Sequence, residues 1–224
     1  MNALHVAAVS ALVVAICQVI QAMAGTPDPT DQHILGLFLE RTAALPARIT
    51  TEYCRQATAD NNEMYTWLVF PQLNLPVTAY QLSGDGKYLD VFVTVFDNMR
   101  ANLTEGPDGY LGWYGTPEPG YENPAKPGVK IDYIINSFRA VNAVGRFVEQ
   151  VDKAPELRSK YAQAREAYLD LAENHLVKKW DVRGNYTDLG RLGAVYRGEY
   201  DQRPVSSELT MPHNKHSIIT RGLL

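Results

Sequence analysis

The chain has 224 residues, enough for one sizeable core, and its 46% apolar and 21% charged content is that of an ordinary globular protein. The formal net charge is −4 and no Lys/Arg block runs along any segment. Nucleic-acid binding needs a basic footprint, so that class of partner is excluded. The aromatic content, 13 Tyr, 6 Phe and 3 Trp, leaves two readings open: a surface that stacks on sugars or peptides, and an aromatic core.

Residues 6–20 are nearly all apolar, broken only by Ser10, Cys17 and Gln18. Ala22-Met23-Ala24 then places small residues where a signal peptidase cuts, before Gly25. Residues 1–24 therefore read as a signal peptide with a weak charged region, since only His5 precedes the apolar run. A retained anchor is the rival reading. The expectation is a secreted or periplasmic protein with no stable membrane span after cleavage. Cys54 is then the sole cysteine, which excludes an internal disulfide. Asn102-Leu103-Thr104 and Asn185-Tyr186-Thr187 fit the glycosylation sequon.

A polar linker, residues 26–30, precedes a helical pattern that starts near Asp31 as N-cap and runs through Ile34, Leu37, Phe38 and Leu45 until Pro46 interrupts it. Asp60-Asn61-Asn62 lies in a turn. Residues 63–82 are apolar on nearly every side, which predicts a buried helix kinked or restarted at Pro71 and Pro76. Ser83-Gly84-Asp85-Gly86 predicts a tight reversal, with Gly84 as left-handed C-cap and Asp85 capping the next helix. Tyr88, Phe92, Val95, Met99 and Leu103 trace that helix's apolar face.

Residues 104–130 form a long loop rich in Gly, Pro and aromatics, a type that is usually functional in compact domains. Helix resumes near Ile131, with Ile134, Ile135, Phe138, Val141, Val144, Val148 and Val151 on one face. After a turn at residues 152–155, Leu157, Tyr161, Ala164, Tyr168, Leu171 and His175 line another face, opposite a charged one. A second long loop follows over about residues 181–211. Pro212 fits the first position of a final helix. Buried helix, tight turn, amphipathic helix and long loop thus occur twice and begin again. Without strand–helix alternation or a glycine-rich phosphate motif, the reading is all-α, and no cofactor is expected.

The run Ala79-Tyr80-Gln81-Leu82-Ser83-Gly84-Asp85-Gly86-Lys87-Tyr88 resembles the inner-to-outer helix turn of (α/α) toroid carbohydrate enzymes, both six-hairpin glycosidases and toroid polysaccharide lyases. Leu209-Thr210-Met211-Pro212-His213-Asn214 resembles the entry to a later inner helix of such proteins. The resemblance covers roughly residues 60–224 and marks architecture better than chemistry. It implies helical hairpins forming part of an (α/α) toroid over residues 25–224, an incomplete barrel truncated at the C-terminus. It also implies a polysaccharide or oligosaccharide partner and a cleft at one end.

If successive hairpins run parallel, the long loops and the inner-helix starts share that end. Asp60, Glu63, Asp132, Tyr133, His213, Asn214 and His216 then converge, and helix N-termini suit a uronate carboxylate. In a β-eliminating lyase, Asn214 or His213 neutralises the carboxylate and Tyr133 or His216 moves protons. In a glycoside hydrolase, Asp60, Glu63 and Asp132 are the candidates for two carboxyls roughly 5–10 Å apart. Each of these residues has a plainer role available: capping for Asp60, Glu63 and Asp132, and backbone hydrogen bonding for His213 and Asn214. His213 and His216 share a helix face, but no third ligand accompanies them, so no metal is assigned. Tyr110, Trp113 and Tyr114 either stack on sugar rings or pack the loop down. Arg191, Tyr196 and Arg197 are candidates for an acidic sugar. Lyase chemistry leads; a hydrolase and a non-catalytic glycan-binding or scaffold protein stay open.

Overall fold

The computed structural model describes residues 28–49, 69–116 and 130–196. The chain divides into two units, Met1–Arg41 and Thr42–Leu224. The described part of the first unit is helix α1, Pro29–Ala43, whose last two residues belong to the second. The helix starts earlier than Asp31. Pro29 has no amide hydrogen to lose, and Asp28 Oδ1 accepts the Thr30 N–H at 2.7 Å, so Asp28 caps and Asp31 falls in the first turn.

The second unit is mostly helical, as the sequence predicts. Helix α2, Leu45–Arg48, carries Pro46 in its first turn, where a missing N–H costs nothing, and Leu45 and Ile49 enter the core. A 3-10 turn, Phe70–Leu73, with Pro71 near its start, feeds α3, Asn74–Ser83. Gly84 closes α3 at φ 69°, donating its N–H to the Tyr80 carbonyl at 2.8 Å. Asp85 Oδ1 then accepts the Lys87 N–H at 3.0 Å and opens α4, Lys87–Arg100. Gly84 takes the role the turn sequence predicts; Gly86, not Asp85, is the N-cap of α4, with Asp85 bonding from one residue earlier. Tyr88, Phe92, Val95 and Met99 are buried along α4, the expected face.

Residues 104–112 depart from a plain loop. Thr104–Glu105 (β1) and Leu111–Gly112 (β2) pair antiparallel around Gly109. Gly115 then pairs with Ile131 in an isolated antiparallel bridge. That bridge delays the next helix: α5 spans Ile134–Asp152, three residues later than the apolar pattern suggests, with Tyr133 extended at its N-cap. The last stretch is also divided. Pro155–Lys160 (α6) and Ala162–Asp170 (α7) meet at Tyr161, and a π-helical segment, Leu171–Val177, leads into α8, Lys178–Val182. Tyr186–Asp188 (β3) and Ala194–Tyr196 (β4) form a second short hairpin. Among the described residues no helix is long and apolar enough to cross a membrane.

The core lies where the two helical hairpins meet. Phe92 of α4 stacks on Phe147 of α5, centroids 4.6 Å apart, and Tyr168 of α7 closes on Phe96 edge-on at 4.7 Å. A matched polar pattern sets the register. Tyr161 donates to Asp90 Oδ1 at 2.8 Å, and Tyr168, seven residues on, donates to Asp97 at 3.0 Å, seven residues on along α4. Seven residues are close to two helical turns, so both pairs sit on one seam. Burial, then the Asp97 charge, pushes the Tyr168 hydroxyl well above the usual range and keeps it a donor. Arg146 of α5 adds an inter-helix tie, donating to Asn74, Thr78 and Gln81 of α3.

Candidate functional site

The chain around the start of α5 gathers the aromatic hairpin β1–β2, the end of α8 and the β3–β4 hairpin. At its centre Asp132, fully buried, pairs through Oδ2 with the Lys179 ammonium, also fully buried. Lys179 also donates to the Leu111 carbonyl at 3.0 Å. Taking two ions out of water costs several kcal/mol each, and only close geometry with further hydrogen bonds offsets it. Gly112 makes that approach feasible: a Cβ there would sit 2.5 Å from Asp132 Oδ2 and 2.9 Å from Lys179 Nζ.

One turn beyond Lys179, just past the end of α8, Arg183 spreads over the hairpin. Its Nε and Nη2 donate to Asp108 at 2.7 and 3.0 Å, and Nη2 donates to the Tyr114 hydroxyl at 2.7 Å. Its Nη1 lies 3.9 Å from Asp132 Oδ2. Burial alone would push this guanidinium down, but Asp108, Tyr114 and Asp132 outweigh it and hold the pKa up. Burial would likewise raise the Asp108 carboxyl, yet the Arg183 hydrogen bonds and charge, with the Tyr110 amide, hold it below the usual carboxylate range. Two cations thus meet two carboxylates. The cluster is balanced in charge, and it fixes the hairpin onto the helix end rather than presenting a free cation. His175 extends the same row, its Nδ1 accepting the Leu111 N–H at 3.2 Å. His175, Lys179 and Arg183 recur at intervals of four, one helical stripe.

The site residues expected from sequence fall into three groups. Asp132 and Tyr133 lie at the α5 start, Tyr110 and Tyr114 pack beside them on the His175–Arg183 row, and Tyr196 packs further along α5. Tyr110 is half-buried, edge-on to His175. Tyr133 is buried as N-cap residue of α5, packed with Ile131 and Ile135. Tyr196 packs on Phe138 and donates to Asp181 at 2.9 Å, and burial, then the Asp181 charge, raises its pKa. Trp113 and Arg191 stand apart. Trp113 is fully buried, edge-on to Phe70, with Nε1 donating to the Met99 carbonyl at 2.8 Å; the loop-packing role describes it, since a buried indole offers no face to a sugar. Arg191 sits exposed in the 3-10 turn joining β3 to β4. Asp60, Glu63, Arg197, His213, Asn214 and His216 lie outside the described residues, as does the signal segment.

Asp132 departs most from its expected place. It stands two residues before α5, shut from solvent and paired with Lys179, so as it stands it has no route to a glycosidic oxygen. Asn185 of the second sequon is also buried. Among the described residues no three His, Cys, Asp or Glu side chains cluster as a metal site. Sequence reading missed Asp108, Lys179 and Arg183. The signal was present, because the stripe through Tyr168, Leu171 and His175 continues to Lys179 and Arg183.

Compared with known protein families, with curated proteins and with solved structures, this chain matches none.

Proposed function

We propose that the chain is a carbohydrate-active protein of (α/α) toroid type whose substrate face is the start of α5, and that it acts on an acidic polysaccharide by β-elimination. One observation supports this above all: the first loop packs through Tyr110 and Tyr114 on the His175–Arg183 row, whose Arg183 lies 3.9 Å from Asp132 just ahead of α5, and the second packs through Tyr196 on Phe138 of α5. A helix N-terminus favours the uronate carboxylate, and Arg191, exposed on the second loop, is the cation proposed for an acidic sugar. In the elimination a base removes the proton beside the carboxylate, the carbon–oxygen bond to the leaving sugar breaks, a carbon–carbon double bond forms, and an acid returns a proton to the departing oxygen. Tyr133 is buried, so proton transfer is assigned to the other candidate, His216. His213, Asn214 and His216 keep the roles their sequence suggests. Among the carboxylates proposed for hydrolysis, Asp132 is committed to Lys179, which weighs toward elimination.

The test is incubation of the full chain with a panel of polyuronates and neutral glycans. Ultraviolet absorbance of the unsaturated product on polyuronates, lost in His216→Ala with thermal unfolding unchanged, is the expected result. New reducing ends without that absorbance point to hydrolysis instead. Neither signal across the panel removes the enzyme reading.

A further inference from the structure

We infer that Tyr186 is a sugar-stacking platform: its exposed ring receives the apolar C–H face of one pyranose, and Arg191, in the turn of the same hairpin, takes the carboxylate of a neighbouring uronate. The inference rests on the acidic-glycan reading above and adds a binding residue outside those expected from sequence.

Stacking needs a ring that water can reach, and exposure separates the aromatic residues sharply. Trp113, Tyr114, Tyr133 and Tyr196 keep 0%, 5%, 8% and 6% of their surface exposed, too little to meet a sugar face. Tyr110 is half-buried. Tyr186 keeps 45%, and among the described residues it is the one exposed side chain of the Phe, Tyr and Trp set. Val182 and Leu189, on either side of it in the chain, are exposed as well.

The ring is also held in place before any ligand arrives. Strand pairing sets Tyr186 directly opposite Tyr196, so the two side chains share one face of the β3–β4 hairpin. Their rings meet edge-on, centroids 5.5 Å apart. Tyr196 is itself anchored, with its ring 4.9 Å from that of Phe138 on α5 and its hydroxyl donating to Asp181 at 2.9 Å. A row of rings thus leads from the α5 core to the surface, and the inner two steady the outer one. A side chain ordered in advance loses little freedom on binding.

The hairpin supplies the charge at its other end. Arg191 is exposed in the 3-10 turn between β3 and β4. At the rise of an extended strand that turn lies roughly 10 Å along the hairpin from Tyr186, a reach suited to adjacent sugars of one chain. A guanidinium grips a carboxylate with paired N–H donors. The carboxylates nearest in the chain are engaged within the fold: Asp181 accepts from Tyr196, and Asp188 accepts the Gly190 N–H at 2.7 Å.

Calorimetric titration of the full chain with tetrasaccharides of galacturonate, mannuronate and guluronate tests this. Tyr186→Leu keeps an apolar cross-strand partner for Tyr196 but removes the ring, and is expected to weaken binding roughly three- to tenfold. Tyr186→Trp should restore it. Ring protons of one bound sugar should shift upfield with the unsubstituted chain and not with Tyr186→Leu. Arg191→Met should weaken binding by a factor that shrinks as salt is added. Binding to Tyr186→Leu as tight as to the unsubstituted chain would overturn the platform and leave the glycan reading standing. Unaltered affinity in Arg191→Met would overturn the two-sugar span. No binding of any tetrasaccharide to the unsubstituted chain would overturn both the platform and the reading beneath it.

Discussion

Lys179→Met is the most informative single substitution. Met keeps the aliphatic stem that packs among buried neighbours and removes only the charge. Asp132 is then left fully buried with its ammonium gone. Arg183 cannot replace it, because Nε and Nη2 are tethered to Asp108 and Nη1 stays 3.9 Å away. Breaking a buried pair by removing one partner costs about 3–5 kcal/mol. The Leu111 carbonyl also loses a donor, a further ~1 kcal/mol. For a chain of this size such a loss lowers the Tm by on the order of 10 °C. Urea unfolding at pH 7 reads the free energy and calorimetry the midpoint. Adding Asp132→Asn removes the stranded charge and should restore at least half of the loss. A single-variant cost under ~1 kcal/mol, or a double variant as damaged as the summed singles, would refute the claim that this pair is held by mutual compensation in a dry site.

Further expectations follow from neighbouring contacts. Gly112→Ala forces a Cβ against Asp132 and Lys179 and should destabilise by about 1–3 kcal/mol in the same urea assay. Phe92→Ala removes the stacked partner of Phe147 at the centre of the core and should cost about 3–5 kcal/mol. Because the Asp108 carboxyl is depressed in the fold, its anchoring of Arg183 is fully present above the ordinary Asp pKa of about 3.9 and lost as pH falls through its lower folded value. Acid unfolding of Asp108→Asn should therefore lose part of the slope that the unsubstituted chain shows below about pH 4.

The elements most legible in the sequence are those whose information is local. The α4 face repeats within a few residues, and the Ser83–Gly86 turn carries its own φ and capping chemistry, so both could be read without knowing what packs nearby. The α5 boundary could not: Ile131 extends the helical apolar pattern, but its backbone is engaged by Gly115, sixteen residues earlier in the chain. The β1–β2 hairpin has two residues per strand, too few for an alternation to register. Lys179 reads as surface from its type although it continues the Tyr168–His175 stripe, and a partner 47 residues away in sequence is what lets its charge be buried there. Trp113 shows the same limit, since composition cannot separate an aromatic that stacks on a ligand from one that fills a core.

The central claim is that an acidic glycan is received where the two aromatic loops meet the start of α5. Titrating the isotope-labelled full chain with a uronate oligosaccharide, and following backbone amide shifts, addresses it directly. The account predicts saturable shifts concentrated at residues 110–114, 131–133 and 191–196. Shifts confined to other surfaces, or none at any concentration, would contradict it.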